Sequence, residues 1–313
     1  MKAKWNQTGR RTSSFFFRQP PGSALLQLIL LFSLLTLGPA CLFSSCGRLS
    51  AGGDVELIEV PVDSCHICLR FKVDDAIADS LHPVRRLDVL IYGADGIKPL
   101  KAKRVYSSLP DSILVYCPYE ELLAVAVANY PEELFHDPPS RYDGAEQLSC
   151  RFDADSPRQP LMSGTAVIQA GASGTVTLTP LMSRVKLGIV SNNMKNYVRL
   201  EDPRIFLENV NAGAEILREG GFRPAEVIQE SGRVALPYDI GVFAQSPGTE
   251  LYCYPNDSPE VTIGNPATVF VMECEISGVT RQFKLSLPAI RRNTTTLVDI
   301  SVDGPGQFES KVY

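Results

Sequence analysis

From residue 66 onward the chain is written in short runs of alternating apolar and polar residues. In His66 to Val73, Ile67, Leu69, Phe71 and Val73 fall on one face and His66, Cys68, Arg70 and Lys72 on the other, the period of two of a half-buried strand. Leu87, Val89 and Ile91 repeat it ahead of the turn residues Gly93-Ala94-Asp95-Gly96, and Ser112 to Cys117 is a third run. Leu122 to Ala128 (LLAVAVA) is apolar on both parities, as in a strand covered on both faces, although a buried helix segment reads the same way. Residues 130–160, rich in Pro, Asp and Ser, read as loop around one short strand near Leu148 to Phe152. Thr175 to Thr179 alternates strictly until Pro180, and the alternation resumes with Val185, Leu187 and Ile189 against Arg184, Lys186 and Gly188. A proline between two such runs suits a strand that leaves one sheet for another, which puts a domain boundary between Leu181 and Arg184.

The second half continues in this style. Ile205 and Leu207 mark one strand, Glu250 to Tyr254 another, and Ala212 to Glu219 is predicted as a short helix stopped by Gly220-Gly221. Phe270, Met272, Cys274 and Ile276 share a face; Ser277-Gly278 permits a turn; Phe283, Leu285 and Leu287 follow; then Val298, Ile300 and Val302 alternate with Asp299, Ser301 and Asp303. Three successive antiparallel strands are predicted there. Short strands, frequent turn signals and almost no long amphipathic helix predict an all-β chain, two β-sandwiches in series.

The start of the chain breaks the pattern. Lys2, Lys4, Arg10, Arg11 and Arg18 precede a stretch without charge from Gln19 to Gly47, with an apolar core Leu28 to Leu37 and small residues after it: the three parts of a secretory signal. Its end, Leu42-Phe43-Ser44-Ser45-Cys46, resembles a bacterial lipoprotein cleavage box, where a peptidase cuts before a cysteine diacylated on sulfur. The mature chain would begin at Cys46. Cys41 is the alternative lipid site, but Gly38-Pro39-Ala40 offers no large apolar residue where Cys46 has Phe43. Acylation of Cys46 also leaves an even six cysteines downstream. A plain signal and an uncut anchor are the rival readings; a span needs about 20 apolar residues, and Pro39 with two cysteines close behind counts against it. Gly47 to Gly53 reads as a tether, so the expected division is signal peptide 1–45, tether 46–53, and sandwich domains 54–182 and 183–313.

Composition alters this picture mainly through charge. Loss of the five basic residues of the signal takes the net charge from −5 to −10, which argues against nucleic acid as a partner. At 44% hydrophobic and 21% charged residues the chain is otherwise ordinary for a globular protein.

Candidate chemistry is sparse. The histidines are His66, His82 and His136, and no Gly-x-Ser-x-Gly, phosphate-loop or His-Glu-x-x-His motif is present. Glu120-Glu121 and Glu132-Glu133 are adjacent acids of the kind that mark solvated turns. Cys65-His66-Ile67-Cys68 has redox or zinc spacing, yet within one strand that spacing puts the sulfurs on opposite faces, and no second such pair exists. Cys253 and Cys274 fall on apolar parities in the second half, as Cys117 and Cys150 do in the first; each pair is either a disulfide or two buried thiols. Asp111-Ser112-Ile113 and Asp79-Ser80-Leu81 resemble short bacterial O-glycan attachment sites, but two loop or turn residues before a strand are the better reading at each. No catalytic residue, metal site or small-molecule cofactor is predicted.

Taken together, the lipoprotein-type signal, the Leu122 to Tyr130 strand ending in Ala128-Asn129, Val176 to Leu187 (VTLTPLMSRVKL), Leu251 to Asn256 (LYCYPN), Arg292-Asn293-Thr294 and Gly304-Pro305-Gly306 resemble the fimbrillin superfamily of Bacteroidales, most closely its anchor or minor subunits. The resemblance implies two transthyretin-like β-sandwich domains, a lipid anchor in the cell outer membrane, and fimbrial subunits as partners, joined by β-strand addition in support of cell adhesion. In major subunits of that family an arginine-specific protease removes the first strand and a neighbour's C-terminal strand fills the groove. Here Gln307 to Tyr313 is short for a separate donor, so Leu297 to Val302, the tail, or neither remains open as the donating segment. The alternative is a surface lipoprotein that binds glycan or a host protein through loops at a sandwich end, with Tyr119, Tyr130 and Tyr142 as candidate exposed aromatics.

Overall fold

The computed structural model describes residues 55–57, 64–74, 83–131, 137–258 and 265–313. The signal segment, Cys41, Cys46, the tether, Asp79-Ser80-Leu81, His82, Glu132-Glu133 and His136 lie outside the described residues. Strands come first as β1 (Val55–Leu57), β2 (Ser64–Val73), β3 (Leu87–Gly93), β4 (Leu100–Tyr106), β5 (Ser112–Pro118), β6 (Leu122–Ala128), β7 (Ser149–Arg151), β8 (Met162–Ile168) and β9 (Gly174–Pro180). They continue as β10 (Ser183–Asn192), β11 (Glu201–Glu208), β12 (Val210–Asn211), β13 (Gly213–Glu215), β14 (Val227–Ile228) and β15 (Ser231–Ala235). The last are β16 (Glu250–Cys253), β17 (Val269–Ile276), β18 (Val279–Ser286), β19 (Thr295–Gly304) and β20 (Gln307–Val312).

The early strands make an eight-stranded sheet in the order β1-β4-β3-β6-β8-β9-β2-β5. It turns over between β8 and β9, where only Met162↔Pro180 and Ser163↔Thr179 are paired, and β9 then runs parallel to β2. The two leaves enclose Ile67, Leu69, Val89, Ile91, Ile113, Val115, Val176 and Leu178, so the apolar parity of each strand faces inward as the alternation requires. Glycine sits at the corner for a steric reason. A Cβ on Gly164 would lie 1.9 Å from the Thr177 carbonyl oxygen.

Pro180 closes β9, and three residues later β10 begins in a different sheet, of order β16-β10-β19-β20. A second four-stranded sheet, β15-β11-β17-β18, packs on it around Val185, Leu187, Leu207, Phe270, Met272, Phe283, Val298 and Ile300. The predicted run of three antiparallel strands is met only in its first pair. β17 and β18 form a hairpin, whereas β19 crosses to the opposite sheet and lies parallel to β10, because its inward residues fill the other side of the core. β10 carries a bulge between Leu187 and Val190, and there Asp299 Oδ1 accepts the Ile189 N–H at 2.7 Å. Gly188 makes room for that carboxylate, since a Cβ would be 2.2 Å from it.

A third core joins the two halves. Leu90 and Tyr92 of β3 and Val125 and Val127 of β6 point away from the first sandwich and are covered by Tyr130, Cys150 and Leu161 and, from later in the chain, Ala214, Ile216, Phe222 and Tyr254. All seven residues of β3 are buried, and β6 is the doubly covered strand that its apolar parities predict. The covering includes two elements the pattern misreads. Residues 212–219 hold β13, paired with β7 through Ala214↔Cys150, instead of a helix: their apolar side chains are wanted on one flat face, and tertiary pairing overrides local propensity. Within the predicted loop lies a one-turn helix, α1 (Tyr142–Glu146), whose Ala145 is buried. Burying each large side chain in this joint contributes about 1.5–3 kcal/mol.

The corner supplies a direct test. Gly164→Ala is expected to lower unfolding stability by about 1–3 kcal/mol through overpacking against main chain, while Gly220→Ala, whose Cβ would meet nothing within 4 Å, should stay within about 0.5 kcal/mol of the parent. Urea titration followed by far-UV circular dichroism distinguishes the two; equal effects would contradict the corner geometry.

Candidate functional site

The joint is fastened by Arg292, in the segment that enters β19. Its Nε donates to Pro180 O at 3.3 Å, Nη1 to Ile216 O at 3.1 Å and Arg218 O at 3.3 Å, and Nη2 to Thr179 O at 2.5 Å and Ser163 Oγ at 3.0 Å. Ser163 in turn donates to Ile216 O. Burial pushes the guanidinium pKa down to about 10, with the Glu219 charge acting the other way, so it stays protonated at neutral pH. A cleft of about 300 Å³ lined by Ser163, Thr165, Thr177, Thr179, Glu219 and Arg292 opens here. All five guanidinium N–H groups are already used, so none is left for a ligand.

Both ends of the described chain are edge strands. β1 flanks β4 alone, in the register Val55↔Arg104, Glu56↔Lys103 and Leu57↔Ala102. β20 flanks β19 alone, from Gly304↔Gln307 to Val298↔Val312, and Leu297 and Tyr313 exchange two further main-chain hydrogen bonds of 3.1 and 3.0 Å. No residue of β20 is fully buried. Phe308 packs against the core, edge-on to Phe283 with centroids 5.5 Å apart. β19 is different: it lies between β10 and β20 with Val298, Ile300 and Val302 buried.

The cysteines are placed as follows. Cys117, Cys150, Cys253 and Cys274 are buried free thiols. Cys117 belongs to the core between the leaves and Cys150 to the joint on the other side of the sheet, so that pair is kept apart; Cys253 and Cys274 share one core without bonding. Burial pushes Cys117, Cys253 and Cys274 up to about 12 and Cys150 up to about 11. Cys65 is free and half-buried, and Cys68 is buried on the opposite parity of β2. The lipid-site candidates Cys46 and Cys41 lie outside the described residues.

Of the aromatics singled out by sequence, Tyr119 is exposed, but Tyr130 is buried and donates to Ser149 O at 3.0 Å, and Tyr142 packs edge-on to Tyr92. Ser112 is buried as the first residue of β5, so only Asp111 of Asp111-Ser112-Ile113 precedes the strand. Near the joint, Tyr254 Oη donates to Asp155 Oδ2 at 3.0 Å, and Asp155 Oδ1 accepts the Ser156 and Leu161 N–H groups. Burial raises the Asp155 pKa, with those donors opposing the shift, and the carboxylate is fully partnered. Among the described residues no group of three or more His, Cys, Asp or Glu side chains is arranged to hold a metal ion.

The described residues therefore form an all-β, two-sandwich fold whose first and last described strands lie at sheet edges. No protein-family profile and no curated protein sequence matches it. Solved structures do. It is similar to a candidate cell adhesion protein of Parabacteroides distasonis (TM-score 0.60, 13% identity, 81% of this chain and 97% of that one). It is similar to the fimbrilin of Porphyromonas gingivalis (TM-score 0.59, 12% identity, 79% and 96%) and to the tip fimbrial protein Mfa3 of the same organism with C-terminal truncation (TM-score 0.55, 14% identity, 80% and 98%). The fold of these fimbrial and adhesion proteins is the fold of this chain.

Two outcomes follow from this geometry. Arg292→Lys and Arg292→Met should each lower unfolding stability by about 2–4 kcal/mol, because carbonyls left without donors cost about 1–3 kcal/mol apiece and an ammonium cannot span five acceptors; calorimetry on the two variants reads this. The buried thiols predict an alkaline limb. Their folded pKa values lie above the ordinary value of 9.0, so the stability they contribute is complete below about pH 9 and is lost as pH climbs through their folded values. The expected slope is up to about 1.4 kcal/mol per pH unit for each thiol, and replacing Cys253 and Cys274 together by Ala should flatten it.

Proposed function

We propose that this chain is a structural, non-enzymatic fimbrial subunit of the fimbrillin superfamily. In this reading it is held in the outer membrane by lipid on Cys46, is an anchor or other minor subunit, and consists of sandwich domains 54–182 and 183–313. The observation that carries the reading is the edge position of both terminal strands, in a fold shared with a fimbrilin and a tip fimbrial protein. An edge strand presents a row of unpaired main-chain groups that another chain can complete, and strand addition gains affinity from the ladder and register from alternate side chains.

The geometry also favours one of the two donor segments left open by sequence. Leu297–Val302 could leave only by dismantling a core that holds Val298, Ile300 and Val302. Gln307–Tyr313 could leave at the cost of one ladder and one aromatic contact. The tail is therefore the better donor, and the edge of β19 that it covers the better acceptor. A non-enzymatic role is supported by the fold shared with fimbrial and adhesion proteins.

The test is made on protein isolated from its native membrane, by intact mass, N-terminal peptide mapping and identification of crosslinked partners. A diacyl or triacyl mass on Cys46 with a pilin subunit attached is the expected result. An unlipidated N-terminus beginning after an internal arginine would sink the anchor assignment. Deleting residues 307–313 should leave the fold intact and abolish association with that partner; undiminished association would remove the tail from the assembly.

A further inference from the structure

Strands β2 and β5 pair antiparallel without a break from Ser64↔Pro118 to Arg70↔Ser112, and in that ladder Cys65 stands directly opposite Cys117. Among the described residues no other cysteine faces a cysteine. Cys68 is opposite Leu114, Cys150 opposite Ala214, Cys253 opposite Ser183 and Cys274 opposite Arg281. The sheet keeps Cys117 apart from Cys150, and the register gives it Cys65 instead.

Both side chains lie on the inward face of the ladder. Cys117 belongs to the core between the two leaves, and Cys65, on the parity of Ile67, packs against that core. The Cys65 thiol leans across toward β5, donating to the carbonyl of Pro118, the residue after Cys117, at 3.9 Å from sulfur to oxygen. The two sulfurs also feel each other, since charge on Cys65 opposes ionisation of Cys117. Residues directly opposite in an antiparallel pair have Cα atoms about 4.5 or 5.5 Å apart, and disulfides form at about 4.4–6.8 Å. The backbone therefore holds this pair at bridging distance.

We propose that Cys65 and Cys117 are a thiol–disulfide exchange site, which closes to an intrachain cross-strand disulfide by reducing a small organic disulfide. Cys65, half-buried at the start of β2, is the thiol that meets the oxidant. Its thiolate attacks one sulfur of the organic disulfide, forming a mixed disulfide and expelling a thiolate that takes up the proton Cys65 released. The Cys117 thiolate then attacks Cys65 Sγ, and the second organic thiolate leaves with the Cys117 proton. The two protein thiols have lost two electrons, and the organic disulfide has gained them as two thiols. Burial holds Cys117 up at about 12, with the Arg104 guanidinium acting the other way, so closure is the slower step at neutral pH. Among the described strands β5 has β2 as its single neighbour. The bond therefore fixes the outer edge of the sheet, and the loop it closes contains β3 and β4.

The full chain is reduced with dithiothreitol, desalted, held folded with glutathione disulfide, quenched in acid, then alkylated in denaturant and digested without reductant. Peptide mapping is expected to find the Cys65 peptide joined to the Cys117 peptide, with Cys150, Cys253 and Cys274 recovered alkylated, and dithiothreitol should reverse the link. Cys117→Ala should stop at one glutathione on Cys65, and Cys65→Ala should leave Cys117 alkylated, because its buried thiol does not meet the oxidant. Amide exchange along β5 should slow at least tenfold in the linked chain, as tying an edge strand raises its opening cost; unchanged exchange would remove the edge-fixing role. Recovery of both Cys65 and Cys117 as alkylated thiols from the folded parent would overturn the proposal, as would a link from Cys65 to Cys68 or from Cys117 to Cys150. The parent map decides the matter even where a variant fails to fold. The measurement uses the isolated chain and stands apart from whether the chain enters a fimbria.

Discussion

The structure depends on one cation that satisfies only neutral acceptors. Arg292 gathers the carbonyls of Thr179 and Pro180 at the end of β9, those of Ile216 and Arg218 beyond β13, and the Ser163 hydroxyl at the corner of β8. These are places where sheet ladders stop, so their carbonyls would otherwise face each other unpaired, and buried main-chain groups must find partners. A guanidinium is the side chain with enough donors in a fixed fork to serve all of them at once. The interaction is strong because it is shared among elements far apart in sequence: loss of any one contributor leaves the others misdirected.

From that fastening the stability of the fold is graded outward. β3 and β6 are covered by the first core on one face and the joint on the other, so opening them requires breaking both. β10 and β19 lie inside their sheet, while β20 and β1 rest on a single neighbour each. Local opening follows the density of buried apolar contacts, which makes the terminal strands the elements that exchange at least cost. Lys311 and Glu309 on β20 put charge along the exposed edge, a common guard against indiscriminate pairing.

How much of this was legible in the sequence differs by level. Period-two alternation located β2, β5, β9, β10, β17 and β18 because each has one face on a core; it located β3 through Leu87, Val89 and Ile91 although that strand is buried on both faces, and the two apolar parities of Leu122–Ala128 announced a strand buried twice. Pro180 marked the passage between sheets. The sheet to which β19 belongs was not legible, since alternation states which side chains point inward and not from which layer. Residues 212–219 misled because a strand of three residues has no period to read, and its conformation comes from pairing with β7. Arg292 was visible as part of a family-like motif, but its role was not, because its partners are main-chain oxygens that leave no trace in residue identity. The aromatics the sequence suggested, Tyr130 and Tyr142, prove to be packing residues of the joint.

The strand that leaves the joint also sets the distance over which the molecule works. β10 starts at Ser183, whose hydroxyl donates to Arg291 O at 2.5 Å beside the Arg292 fork, and ends at Asn192, whose amide clasps the loops that carry Val198 and Ile240. Its ten residues span roughly 30 Å at about 3.3 Å per residue. The same strand is paired along its length with β19, the strand that Arg292 introduces and that β20 covers. The Arg292 fork at one end and the Asn192 clasp at the other are therefore joined by one two-strand beam. β20 rests on the side of that beam, so opening the edge strand leaves the loops at the far end held by a buried asparagine and not by the tail.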